Sequence, residues 1–76
     1  MDFQAGDTAG AERQFRLTVQ DFPEDVQAWI SLAAALAEES RPSEARDALA
    51  HALRLDPNNA AALSLSRKLA AGPDGH

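Results

Sequence analysis

The sequence predicts an all-α fold, in which antiparallel helix-turn-helix repeats stack as a short α-solenoid of about four helices. Three observations carry this. Ala and Leu dominate the 45% of hydrophobic residues, with no Tyr, three Phe, one Trp and few β-branched residues, a mixture that favours helix over strand. An apolar helical pattern is also broken twice by the same device, in "VQDFPEDVQAW" and in "LRLDPNNAAAL", and the two prolines, Pro23 and Pro57, stand 34 residues apart. Finally, sliding the sequence by 34 lays Ala11, Phe15, Thr18, Val19 and Pro23 on Ala45, Leu49, Ala52, Leu53 and Pro57. Small residues fall on small, large apolar on large, and proline on proline.

The first helix is expected from about Thr8 to Phe22. Ala11, Phe15, Thr18 and Val19 share one of its faces, and Pro23 stops it. "MDFQA" before it is either one remaining turn of a further helix or a disordered lead-in.

A second helix, about Val26 to Glu39, carries the stripe Trp29, Leu32, Ala33 and Leu36 at i, i+3, i+4 and i+7. Asp25 is placed to cap it, because a short acidic side chain accepts from the first free N–H groups of a helix. Trp29 and Phe15 fill large-residue positions of their stripes and are expected in the core.

Pro42 suits the first turn of a third helix, about Pro42 to Leu55, since its missing N–H needs no partner there. The fourth, about Asn59 to Ala71, is capped by Asn58 or Asn59. Shifted by 34, the Trp29 stripe becomes Leu63, Ser66, Arg67 and Ala70, a decayed copy. Gly72 and Pro73 then read as stop signals before a polar tail. Links this short force sequential helices to pack antiparallel.

With 76 residues the chain holds one domain, 1–76. Seven basic against twelve acidic residues give a net charge of −5, which disfavours nucleic acid, whose affinity rests on Lys and Arg replacing counterions. Arg67-Lys68, the sole adjacent basic pair, reads as a solvated helix face. The lack of cysteine excludes disulfides and thiolate metal or redox chemistry. No basic leader and no apolar run long enough for a membrane stands in the sequence, so a cytoplasmic protein without membrane association is expected. Six Arg to one Lys, with abundant Ala, hints at a GC-rich bacterial source.

The 34-residue period with the order Trp29, Leu32, Ala33, Leu36, Ala45, Leu49, Ala52 and Pro57 resembles the tetratricopeptide repeat, whose pattern is W-x₂-L-G-x₂-Y…A-x₃-F…P. In that likeness Ala33 replaces the small glycine, Leu36 the tyrosine and Leu49 the aromatic, which Phe15 matches better one repeat earlier. The resemblance makes 26–59 a complete repeat, 6–23 the second helix of a preceding one, 60–71 a first helix without its partner and 72–76 a tail. The start within a repeat suits a piece cut from a longer array, whereas the tail suits a true C-terminus.

Such a resemblance implies a protein-binding role, with a concave groove lined mainly by the first helix of each repeat. On the Trp29 helix the face beside the core stripe carries Gln27, Ile30, Ser31, Ala34 and Glu38. On the last helix the matching positions are Ala61, Ser64, Leu65, Lys68 and Gly72. Some members clamp acidic C-terminal peptides with Lys and Asn; Ile30, Ala34 and Ser64 stand at those places here, so an apolar helix or extended segment of a partner protein is the better match.

Repeat arrays bury their faces by stacking, and this chain has about two repeats, which leaves apolar flanks at both ends. Covering about 400 Å² of such surface is worth roughly 10 kcal/mol before association entropy is subtracted. Self-association as a homodimer is therefore expected. The functional alternatives to a partner-binding module are a self-assembly unit with no separate ligand and an accessory subunit of a larger complex.

No catalytic set, metal site or cofactor site is expected. Asp47 and His51 lie four apart on one helix but lack a third ligand, and His76 lies in the tail. Glu38 and Glu39 are adjacent and diverge by about 100° on a helix, so they do not converge on one substrate. Ser31, Ser64 and Ser66 have no histidine base beside them, and the glycines form no phosphate-cradling loop. The chain reads as not an enzyme.

Overall fold

The structure, a computed structural model, describes the backbone of residues 3–71 and the side chains of residues 8–70. Gly72, Pro73, the tail and His76 lie outside the described residues. Four helices follow one another: α1 (Phe3–Asp21), α2 (Val26–Glu38), α3 (Pro42–Leu55) and α4 (Ala60–Ala71). No strand occurs among the described residues.

The turns explain the boundaries. Before α2, the Asp25 Oδ1 accepts from the Ala28 N–H at 3.2 Å; before α4, the Asn59 Oδ1 accepts from the Ala62 N–H at 3.0 Å. Asp25 and Asn59 are 34 residues apart, and each donates its own N–H back across the proline turn, to the carbonyls of Phe22 and Asp56. The same Pro-containing turn is thus built twice, and Asn59 rather than Asn58 is the cap.

Between α2 and α3 the chain turns without glycine. Ser40 takes the left-handed conformation, φ 63, so that Arg41 N–H reaches the Leu36 carbonyl and Ser40 N–H the Ala37 carbonyl, at 3.0 and 3.1 Å. That is the pairing of a Schellman end, which satisfies carbonyls that a helix terminus leaves free. Pro42 then opens α3.

One boundary departs from the sequence reading. α1 begins at Phe3, not near Thr8, and runs on through Gly6 and Gly10, so "FQA" is neither a separate turn nor a lead-in. Glycine weakens a helix by about 1 kcal/mol relative to alanine but does not break it as proline does.

Packing follows the order of the chain. α2 lies centrally, against α1 on one side, α3 on another and α4 at a third; α4 also packs on α3. Val19, Leu32, Ala33, Leu36, Ala45, Leu49 and Ala52, all on the periodic stripes, are buried, and Ala33, Ala45 and Ala52 have no exposure at all. Alanines at these places let α2 and α3 approach closely, which dispersion between the backbones rewards. Thr18 tolerates its stripe position because its Oγ1 donates to the Gln14 carbonyl at 3.0 Å.

Candidate functional site

Two grooves flank the helix stack. The first lies on α1 and α2, is about 350 Å³ in volume, and is lined by Thr8, Ala11 and Phe15 from α1 and by Ser31, Ala34, Ala35 and Glu38 from α2. The second lies on α3 and α4, at about 330 Å³, and is lined by Arg46, Leu49, Ala50 and Leu53 with Ser66, Leu69 and Ala70. Each is floored by alanines and larger apolar groups and carries a single ionisable side chain, Glu38 in the first and Arg46 in the second.

Helix periodicity builds both. On α2, Ser31, Ala34, Ala35 and Glu38 fall at i, i+3, i+4 and i+7, a face adjoining the Leu32 stripe. On α1, Thr8, Ala11 and Phe15 do likewise, so the two faces meet as the walls of one trough.

The residues expected to form a concave groove are distributed differently. Ser31, Ala34 and Glu38 line the α1/α2 trough. Ile30 is 7% exposed and sits inside the core cluster, so it presents no surface to a partner. Gln27 is exposed at the start of α2. Leu65 is half-buried against the core from α4, while Ala61, Ser64 and Lys68 are exposed there. These α4 residues line neither trough. Gly72 lies outside the described residues.

Trp29 is also placed differently from the sequence expectation: it is only partly buried, packed on the core's edge, and its indole stacks on His51 with ring centroids 4.2 Å apart and planes 15° from parallel. The indole Nε1–H donates to the Pro23 carbonyl at 2.8 Å. Phe15 is likewise partly buried, its ring forming part of the α1/α2 trough. A small cleft of about 160 Å³ beside this stack is bounded by Arg16, Trp29, Leu32, Leu36, Glu44, Asp47, Ala48 and His51.

An ionic network fastens α1 to the α2–α3 turn. Arg16 pairs with Glu12 one turn earlier and reaches across to Glu44 on α3 at 3.0 Å, while Arg41 lies 3.8 Å from Glu12 and 3.7 Å from Glu39. The Arg16 hydrogen bond, aided by the charges of Arg16 and Arg41 and opposed by partial desolvation, holds the Glu12 carboxyl below its ordinary value. The same bond to Glu12 raises the Arg16 guanidinium. The Glu12–Arg16 half of the network is legible as an i, i+4 pair; the reach to Glu44 is not, because it joins two helices that pack through α2.

Among the described residues, no group of three His, Cys, Asp or Glu side chains is placed to hold a metal ion, and no helix is long and apolar enough to cross a membrane. What the surface offers is shape: two apolar troughs, one on α1 and α2 and the other on α3 and α4.

Neither a curated protein nor a solved structure matches the chain. A family model described as tetratricopeptide repeat matches residues 2–69, nearly the whole length, taking in α1 to α3 and most of α4. The chain, with its 34-residue period and twice-built proline turn, therefore belongs to the tetratricopeptide repeat family.

Proposed function

We propose that the chain is a protein-interaction module that receives an amphipathic helix of a partner protein along its open repeat ends. The α1/α2 trough carries this reading, since Phe15, Ala11, Ala34 and Ala35 give it an apolar floor and Ser31 and Glu38 a polar lip. A helix laid in such a groove anchors through side chains at i, i+3, i+4 and i+7, and the single carboxylate favours a basic residue on its flank. Family membership supports the same coarse role. No catalytic role is part of this reading, and neither nucleic acid nor membrane is proposed as a partner. The setting we propose is a bacterial cytoplasm, supported by the arginine-rich, alanine-rich composition.

A displayed library of amphipathic helical peptides, selected against the chain and against Ala34→Arg, tests the proposal. Ala34 is half-buried on the trough wall, and a long cation there occupies the groove without entering the core. Enriched peptides are expected to lose at least about tenfold in affinity for the variant, about 1.4 kcal/mol. Peptides that bind both forms equally, or no enrichment at all, would overturn it.

Self-association, with the homodimer as its smallest form, is a second reading, favoured by the apolar lining of the trough at the other end, on α3 and α4.

A further inference from the structure

Resting on the reading of the chain as an association module, we infer that the occupant of both troughs is a second copy of this chain, stacked head to tail so that α1 of one copy lies on α4 of the next. The helix order makes this geometrically natural. α1 and α3 are equivalent under the 34-residue shift, as are α2 and α4. Among the described residues the first helix is therefore of one type and the last of the other. A copy added at the α4 end continues the alternation: its α1 enters the α3/α4 trough, and the first copy's α4 enters the newcomer's α1/α2 trough.

The internal α2–α3 pair supplies a template for the junction. Trp29 corresponds to Leu63 and His51 to Leu17, so the stacked Trp29–His51 contact becomes a Leu63–Leu17 contact between copies. Within one copy these two leucines are large apolar residues left open, Leu17 54% and Leu63 40% exposed. Ala11 and Phe15 take the places of Ala45 and Leu49, both buried on α3. One register thus covers two otherwise unexplained apolar side chains.

Charge agrees with the direction. The trough that receives α4 carries Glu38 as its one ionisable group, while α4 bears Lys68 in its last turn and no acidic residue. A face-to-face pairing of two α3/α4 ends would instead bring Arg46 of both copies together.

The junction is weaker than its template for an identifiable reason. Arg67 stands where Ala33, fully buried, lets α2 and α3 approach. Its long stem must be bent aside, so association is reversible and responsive to concentration, and because a head-to-tail contact joins two different ends and leaves one of each free, growth continues beyond two copies.

Sedimentation velocity on the chain, over a micromolar to millimolar series, tests the arrangement with three variants: Leu17→Asp, Leu63→Asp and Arg67→Ala. Wild type is expected to show an average mass that rises past two copies. Each Asp variant alone should lose at least about tenfold in association, whereas their equimolar mixture forms a one-to-one dimer that grows no further, one variant lending its intact α4 end and the other its intact α1 end. Arg67→Ala should associate several-fold more tightly than wild type. Far-ultraviolet circular dichroism confirms that the Asp variants fold; if either does not, Arg67→Ala against wild type decides.

A dimer that stops growing, an Asp mixture that stays monomeric, or an Arg67→Ala chain no tighter than wild type overturns the inference. A monomeric chain that still binds the library peptides through Ala34 overturns it while leaving the interaction module standing; a monomer that binds none removes both.

Discussion

The indole of Trp29 lies on the imidazole of His51, centroids 4.2 Å apart, while its N–H is bonded to the Pro23 carbonyl at 2.8 Å. One side chain on α2 thereby holds the preceding turn and the following helix. Replacing His51 with Ala should destabilise the fold by about 0.5–1.5 kcal/mol, the worth of a stacked aromatic pair. Trp29→Phe should lose about 1 kcal/mol for the missing hydrogen bond. Trp29 is the sole tryptophan, so its fluorescence follows the His51→Ala change in chemical denaturation, and far-ultraviolet circular dichroism follows Trp29→Phe, which has no tryptophan left. An unchanged midpoint for His51→Ala would mean that the stack contributes nothing.

Ser40 sits at φ 63, a conformation that L side chains adopt at a cost and glycine adopts freely. Ser40→Gly should therefore raise stability by about 0.5–1 kcal/mol, after allowance for glycine's larger freedom in the unfolded chain, which is roughly 2–8 °C in melting temperature for a domain of this size. A fall in melting temperature would contradict the strain.

Gly10 stands inside α1, and a Cβ added there meets no atom within 4 Å. Gly10→Ala should stabilise α1 by about 0.8–1 kcal/mol with no steric penalty. Amide hydrogen exchange should register it as added protection in the first helix.

Glu12 gives the acid limb of the stability profile its sign. Its folded carboxyl titrates below the ordinary value of 4.5 because of Arg16 and then Arg41. The contribution is fully present above that ordinary value and is lost as pH falls through the depressed one. Glu12→Gln should be slightly less stable than wild type at neutral pH, and the two should converge in a urea series carried below pH 4.5. A difference that widens on acidification would reverse the sign.

Sequence and structure agree best where punctuation is strong. α3 has the same limits in both, because Pro42 fixes one end and Asp56-Pro57 the other. The start of α1 has no such mark, since Gly6 and Gly10 weaken a helix without ending it. Ile30 and Trp29 illustrate a different limit. A stripe of four apolar positions tells which face of α2 is covered, not how many neighbours cover it. The signal was in α2 itself: between Val26 and Glu38 only Gln27, Ser31 and Glu38 are polar, the composition of a helix enclosed on several sides. Ile30 is consequently buried in the core cluster, and of the residues expected along α2 and α4 it is Ser31, Ala34 and Glu38 that line a trough, the one on α1 and α2. His51 lies off its stripe, so nothing in the periodicity paired it with Trp29.

α2 alone packs its backbone against every other helix, α3 meeting α1 only through the Arg16–Glu44 pair, whereas α4 is held only by α3 and a small part of α2. All of these partners are close along the chain, so little loop entropy opposes their meeting, and refolding should be complete within milliseconds. Opening should then proceed in an order set by neighbours: α4 detaches first, leaving the α2–α3 hairpin, with its dry alanine seam, as the last cooperative unit to melt.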